Sequence, residues 1–266
     1  MSAQLTVAIA GHGPDALLQR AILATLPNDF RLVDAGADIM LLSGRDGDAD
    51  ALLAFVPSST RAIMLVSPAS TSAATRAQLV NLERDAGVPV VIGLGYAPWF
   101  VADGLAWDAA HEEEVAIVEL TAAVTNISAA RDALLEQLHI GRTMMGPLRD
   151  PTVLLDSAMA KVVEVEGGSP PIKWRMTACH GLAEQLIVER IARTRRSKVV
   201  IARDSHARPP HISHHDAQGS HLATPVYQSG YRAGWIALHA ALTANGVPSG
   251  ALDQLQADMA LLGWGD

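Results

Sequence analysis

Cysteine is nearly absent. Cys179 is the single one in 266 residues, so no intramolecular disulfide can form, and a reducing compartment is the expectation. No stretch approaches the ~20 apolar residues that a membrane-spanning helix needs. The opening residues, MSAQLTVAIAGHG, carry no basic segment, and Gly11 breaks their apolar run; no ordinary signal peptide is expected there. Positive charge is also in short supply. Twenty Lys and Arg face 28 Asp and Glu, for a formal net charge of −8. Binding to phosphate backbones or anionic membranes needs a clustered positive field, so neither a nucleic-acid nor a membrane-surface partner is expected. The one dense basic run, Arg193–Arg196 with Lys198, falls in a β-rich stretch and reads as a solvated strand face or edge. The G-x-S-x-G elbow of serine hydrolases is missing. A soluble, cytoplasmic protein is the reading these absences give.

What is present is a regular alternation. With 49% hydrophobic residues the chain can bury one large core or two modest ones. LTVAIA (5–10), FRLVD (30–34), DIMLLSG (38–44), RAIMLVS (61–67) and GVPVVIGLG (87–95) read as strands. Helical patterns separate several of them: about Asp15 to Leu26, DADALLAFV, and Ser72 to Ala86. Strands apolar on both faces and alternating with helices predict a parallel sheet covered on each side. The character changes near residue 111. HEEEVAIVELTAAVT fits strand or helix equally, and SAARDALLEQLHIG (128–141) predicts a helix ending at Gly141. AKVVEVEGG, PIKWRMTACHG, LIVERIARTR and KVVIARD then alternate with period two, as half-exposed antiparallel strands do. Two helical stretches, Tyr231 to Ala244 and ALDQLQADMALLG, follow. The fold class expected is α/β, with an N-terminal Rossmann-type parallel sheet and a C-terminal α+β domain whose sheet is mostly antiparallel. The domains are expected at 1–110 and 111–266.

Gly11-His12-Gly13-Pro14-Asp15-Ala16 fits G-x-G-x-x-A directly after a buried strand and at the opening of a helix. The first Gly permits the tight turn, the second lets the backbone approach a pyrophosphate, and the small third residue lets helix and strand pack closely. The helix N-terminus offers N–H groups and a positive dipole end to phosphates. Asp34, 23 residues after Gly11, stands where a carboxylate would bind an adenosine ribose, favouring NAD over NADP. The cofactor candidates are therefore Gly11, His12, Gly13, Pro14, Asp34 and Ser43. Pro14 lacks an N–H, Asp15 brings a negative charge beside the phosphate path, and the span from Asp34 to Ile39 is too short for the usual intervening helix and strand. The alternative reading is a Rossmann-like turn that is only a turn.

The GHGPDA turn, DIMLLSG, and RAIMLVSPAST followed by a helix and GVPVVIGLGYAP together resemble the Gfo/Idh/MocA family of NAD(P)-dependent sugar and polyol oxidoreductases. The resemblance covers the first ~100 residues by order of elements, and the whole chain more loosely. It implies an oxidoreductase acting on a small polar substrate, and a C-terminal sheet that carries the substrate pocket and joins subunits into a homo-oligomer. Setting Pro68 on the proline of the family's Glu-Lys-Pro tripeptide puts Val66 and Ser67 where glutamate and the proton-transferring lysine stand. No D-x-x-x-H pair follows in the second half. Residues 204–221, DSHARPPHISHHDAQGSH, hold five of the ten histidines and read as a loop. Imidazole suits both proton transfer and metal binding, but the spacing matches no closed metal template and no metal site is assigned. The catalytic candidates are His214, His215, Ser67 and Tyr96. Two alternatives stay open: a non-catalytic binding or scaffold subunit, and a metal-dependent lyase or hydrolase using the histidines.

Overall fold

The computed structural model describes residues 4–45, 53, 56–98, 115–125, 129–168, 171–202, 210–222, 229–244, 246–247 and 250–264. The chain divides into two compact units: Met1–Leu94 with Tyr231–Ala260 and Trp264–Asp266, and Gly95–Gly230 with Leu261–Gly263. The expected helix DADALLAFV lies outside the described residues except for Leu53, which is helical.

The first unit contains β1 (Leu5–Ile9), α1 (Pro14–Leu23), β2 (Phe30–Leu32), β3 (Ile39–Ser43), β4 (Ala62–Val66), α2 (Ala73–Ala86) and β5 (Val90–Gly93). The strands form one parallel sheet in the order β2-β1-β3-β4-β5. Every residue of β3 and β4 is buried, as strands covered on both faces must be. Leu5, Val7 and Ile9 share one core with Ile39, Leu41, Ala62, Met64 and Val66, and with Ile22 and Leu23 of α1. β2 ends at Leu32, two residues short of the expected strand, and Asp34 is exposed beyond its end.

The short connection from β2 to β3 carries the chain from one side of β1 to the other. A hydrogen-bonded clamp holds it. The Thr6 N–H and hydroxyl donate to Asp38 Oδ2 at 2.8 and 2.6 Å, and the Thr6 hydroxyl accepts from the Asp38 N–H at 2.9 Å. Burial by itself raises the Asp38 carboxyl, but the Thr6 donors and the Arg61 charge outweigh it and hold the group below its ordinary value. Replacing Thr6 with Val keeps the shape and removes the hydroxyl, so Thr6→Val is expected to cost about 1.5–3 kcal/mol in urea unfolding. A loss under half of that would mean water replaces the clamp.

The C-terminal helices do not belong with the second half of the chain, as the expected 111–266 domain had them. α4 (Gly230–Thr243) completes the first core through Tyr231, Trp235, Leu238 and Leu242. The Arg61 guanidinium also donates to the Leu242 carbonyl at 2.6 Å. A last helix, α5 (Ala251–Leu261), follows.

The second unit is an eight-stranded sheet in the order β13-β12-β11-β10-β6-β9-β8-β7. Its strands are β6 (Val115–Val124), β7 (Leu148–Asp156), β8 (Ala160–Gly167), β9 (Ile172–His180), β10 (Gln185–Ala192), β11 (Arg196–Ala202), β12 (His211–Asp216) and β13 (Gly219–Leu222). All pairs are antiparallel except β6 with β9. Residues 115–124, ambiguous by period, are a strand because β9 and β10 flank them. α3 (Ala130–Met145) packs on β6 and β9. It runs four residues past Gly141, where the sequence suggests a stop. A Cβ at Gly141 would stand 3.2 Å from Leu148 and 3.4 Å from Trp174, so glycine there serves close packing inside the helix; the helix instead ends at Gly146, with φ 79°. Trp174 is fully buried beneath it. The opposite face of the sheet is mixed: Arg175 bonds Glu119 at 3.1 Å, Lys173 bonds Glu164 at 2.8 Å, and Lys198 bonds Glu189 at 2.9 Å. Arg196 also pairs with Glu189, so Arg196 and Lys198 form a strand face, whereas Arg193 and Arg195 of the basic run lie in the turn between β10 and β11.

Candidate functional site

The C-terminal edge of a parallel sheet is where ligands bind, at the point where connections depart to opposite sides. Here that point lies between β1 and β3. The chain leaves β1 for α1 and β2 on one side, then crosses to β3 on the other. Gly11, at the end of β1, has φ 81° and needs the freedom of glycine. Gly13 caps α1 with an extended backbone (φ −71°, ψ 179°) and no side-chain cap, and Pro14 takes the first helical turn. Ala16 is fully buried, as close helix–strand packing requires. These features fit a dinucleotide: a left-handed turn, a side-chain-free cap and a helix N-terminus facing the strand ends. His12 and Pro14 are exposed on the same turn, and Asp34 is exposed two residues beyond β2, on the same edge of the sheet.

Asp15 is buried, with 5% of its surface exposed, and its carboxylate joins the tips of two strands. Ser43 Oγ donates to Asp15 Oδ2 at 2.9 Å and Ser67 Oγ at 2.5 Å, while Arg45 Nη1 stands 3.9 Å from Oδ1. A buried carboxylate needs such partners, and an acidic residue in the first turn also suits the helix dipole. Alternation explains Ser43, since it continues past Leu41 the row of β3 that faces the core shared with α1. Ser67 arrives differently. It follows β4 in the left-handed region, φ 50° and ψ 53°, a costly conformation for a non-glycine residue. Gly44 makes room for it, because a Cβ there would lie 2.3 Å from the Ser67 carbonyl oxygen and 2.5 Å from the Thr71 hydroxyl. That Thr71 hydroxyl is buried and has no hydrogen-bond partner among the described residues.

Of the sequence candidates, Ser43 and Ser67 are thus brought together beside the glycine turn, and Asp15, Arg45 and Thr71 are added to them. Two strands that each end on serine, IMLLS and AIMLVS, were the only sequence signal for this cluster. Tyr96 lies in the second unit, buried, with its backbone N–H donating to Glu136, which also accepts from Ala97 N at 3.0 Å.

His214 and His215 also lie in the second unit. The part of the expected loop that is described, residues 211–222, is a hairpin of β12 and β13 at one edge of the sheet, because β11 supplies a strand for it to pair with. The two imidazoles are in successive strand positions and are held separately: Ser197 Oγ lies 2.9 Å from His214 Nδ1, and Ser220 Oγ lies 2.6 Å from His215 Nδ1. Among the described residues no group of three or more His, Cys, Asp or Glu could hold a metal ion. Burial, then the Arg195 charge and His221, keep the His214 imidazole below its ordinary pKa. A histidine that resists protonation when folded removes stability as pH falls through its unfolded value of about 6.5. His214→Gln should therefore flatten the decline of the melting temperature between about pH 7 and 5. An unchanged slope would place that decline on other groups.

No family model and no curated protein matches the sequence. Solved structures do match it along nearly its whole length. A dehydrogenase (MviM) from Clostridium difficile superposes with a TM-score of 0.70 at 10% identity, over 98% of this chain and 98% of that one. KijD10, a 3-ketoreductase from Actinomadura kijaniata in complex with TDP-benzene and NADP, gives 0.71 at 10%, over 99% and 97%. UDP-N-acetylglucosamine 3-dehydrogenase GnnA from Acidithiobacillus ferrooxidans gives 0.66 at 11%, over 99% and 98%. The fold is that of the Gfo/Idh/MocA oxidoreductases. In a Gfo/Idh/MocA-type fold the parallel sheet with its glycine turn precedes a mostly antiparallel sheet, and both sheets are present here in that order. Among the described residues no helix is long and apolar enough to cross a membrane.

Proposed function

We propose that this protein is an NAD(P)-dependent oxidoreductase acting on a small polar, sugar- or polyol-like substrate. The observation that carries the reading is the left-handed Gly11 turn leading into the uncapped N-terminus of α1, beside a buried polar cluster at the tips of β3 and β4. Gly11, Gly13 and the first turn of α1 would hold the diphosphate. Asp34 would take the ribose hydroxyls, and Ser43 and Ser67 would line the reacting end. The cofactor supplies the hydride chemistry when bound. The chain's own part is to orient it against the substrate and to exclude water. The structural neighbours support this reading by their fold, and one of them is described as bound to NADP.

The direct test is a titration with NADH, read by energy transfer from tryptophan to the dihydronicotinamide. Saturable transfer is expected; its absence at millimolar NADH would remove the cofactor. Asp34→Ala should weaken NAD more than NADP, since a carboxylate favours the ribose hydroxyls and repels a 2′-phosphate. Equal losses would mean that Asp34 does not face the ribose.

A second reading, a non-catalytic dinucleotide-binding subunit, is favoured by one observation. By the family resemblance Ser67 stands in the lysine's place, and its hydroxyl donates a hydrogen bond to Asp15, which leaves no cationic acid at that position. Binding of NADH with no turnover across ketose, aldose and polyol substrates would favour it. We also propose that a second copy covers the open face of the eight-stranded sheet. There the charged residues already form cross-strand pairs, so a partner would meet few uncompensated charges. Light scattering on the purified protein decides this, with a dimer mass expected.

A further inference from the structure

We infer that the Asp15 carboxylate makes this site selective for the oxidised, positively charged form of the nicotinamide cofactor over the neutral reduced form. The inference rests on the dinucleotide reading above and adds a determinant to it.

The placement follows from the order of the strands. The diphosphate of a dinucleotide sits on the glycine turn, at the N-terminus of the following helix. That turn follows β1. The β2 side of β1 carries Asp34, the ribose candidate, so the adenosine half extends that way. The other half must then extend the opposite way, over β3 and β4. Two strand spacings, about 10 Å, separate β1 from β4, roughly the reach of one nucleoside. The tips of β3 and β4 are where Ser43, Ser67 and Asp15 converge.

The electrostatics follow from the hydrogen-bond pattern. A carboxylate only accepts, so the protons of both serines are committed to Asp15, and toward a ligand they present oxygen lone pairs. Ser43 already accepts from the Arg45 backbone N–H at 3.2 Å. Ser67 faces the site as an acceptor beside a buried negative charge. Among the described residues the Arg45 guanidinium is the cation paired with Asp15, while those of Arg20 and Arg76 donate to the Ile9 and Thr71 carbonyls at 3.1 and 2.5 Å. Arg45 stands 3.9 Å away with a fifth of its side chain exposed, so solvent screens it more than it screens the buried carboxylate. The Asp15 carboxylate, bonded to both serines, is the charge nearest their oxygens, and its own field there is negative. The buried Thr71 hydroxyl at the same tip, against Gly44, has no partner among the described residues and independently marks a place where a ligand's polar group would satisfy it. A ring that carries a positive charge gains from this field, and a neutral dihydro ring does not.

Dissociation constants for NAD+ and NADH, measured by calorimetry on the full-length protein, test the inference without any turnover assay. The wild-type protein should bind NAD+ the tighter. Asp15→Asn keeps the shape and removes the charge, and should shift the NAD+ to NADH affinity ratio toward NADH by about tenfold. A tenfold shift corresponds to about 30 mV in the potential of the bound two-electron couple. Arg45→Gln, at a more exposed position, should move the ratio the other way by about threefold, and it carries the test alone if Asp15→Asn does not fold. Both ratios unchanged, with both forms bound, would overturn the role of Asp15 and leave the cofactor assignment standing. Failure of the wild-type protein to bind either form at millimolar concentration would overturn both.

Discussion

A valine in place of Gly13 is expected to leave the protein folded and to lower its affinity for NADH at least about 100-fold, some 2.7 kcal/mol. The two glycines of the turn differ in backbone conformation. Gly11 has φ 81°, so any side chain there strains the turn, and a loss of binding would be ambiguous. Gly13 has φ −71° and ψ 179°, extended backbone that a β-branched residue adopts readily. What valine changes at position 13 is therefore the space in front of the helix N-terminus, where the diphosphate must approach the backbone. Circular dichroism and the unfolding midpoint should match the wild-type values, while energy transfer from tryptophan to NADH disappears. Wild-type affinity in the folded variant would show that the ligand does not use this turn.

Trp235→Ala should destabilise the first unit by about 3–5 kcal/mol, the range for deleting a buried Trp or Phe side chain. Trp235 is 1% exposed. Its ring meets Phe30 edge to face at 5.2 Å, and its Nε1 donates to Gln19 at 2.8 Å. Removing the indole opens a cavity beside β2 and leaves a buried amide oxygen without its donor, which adds its own penalty. The loss should appear in urea unfolding and as faster amide exchange in β1 and β2, which lie more than 200 residues away in sequence. If the helix were an independent appendage, exchange in those strands would be unaffected. Trp235→Phe should recover part of the loss, because it restores apolar volume but not the hydrogen bond to Gln19.

The sheet of the first unit was legible because its signal is local. Five apolar runs of strand length, bounded by Gly, Pro and Ser and spaced by helical patterns, predict covered parallel strands, and all five are there. The period-two segments of the second half likewise became antiparallel strands. Errors arose where a neighbour decided the outcome. Residues 204–221 read as a loop, but within their described part β12 pairs with β11, whose free edge no local pattern reveals. Gly141 reads as a helix stop but is the point of closest approach to Leu148 and Trp174.

The sequence by itself determined the glycine turn, the alternation that buries β3 and β4 on both faces, and the change from a parallel to an antiparallel sheet. Each is written within a window of a few to some twenty residues, as periodicity and turn chemistry. Only the tertiary structure decided that Asp15 is a buried carboxylate shared with Ser43 and Ser67, 28 and 52 residues away, and that Trp235 closes the core on Gln19 across 216 residues. An aspartate in the first turn of a helix suits the dipole whatever its surroundings, and in the sequence it reads only as a negative charge beside the phosphate path. What buries it and supplies its donors is the parallel register that sets the ends of β3 and β4 beside the start of α1. That register comes from the packing of whole elements, to which no single stretch of sequence refers.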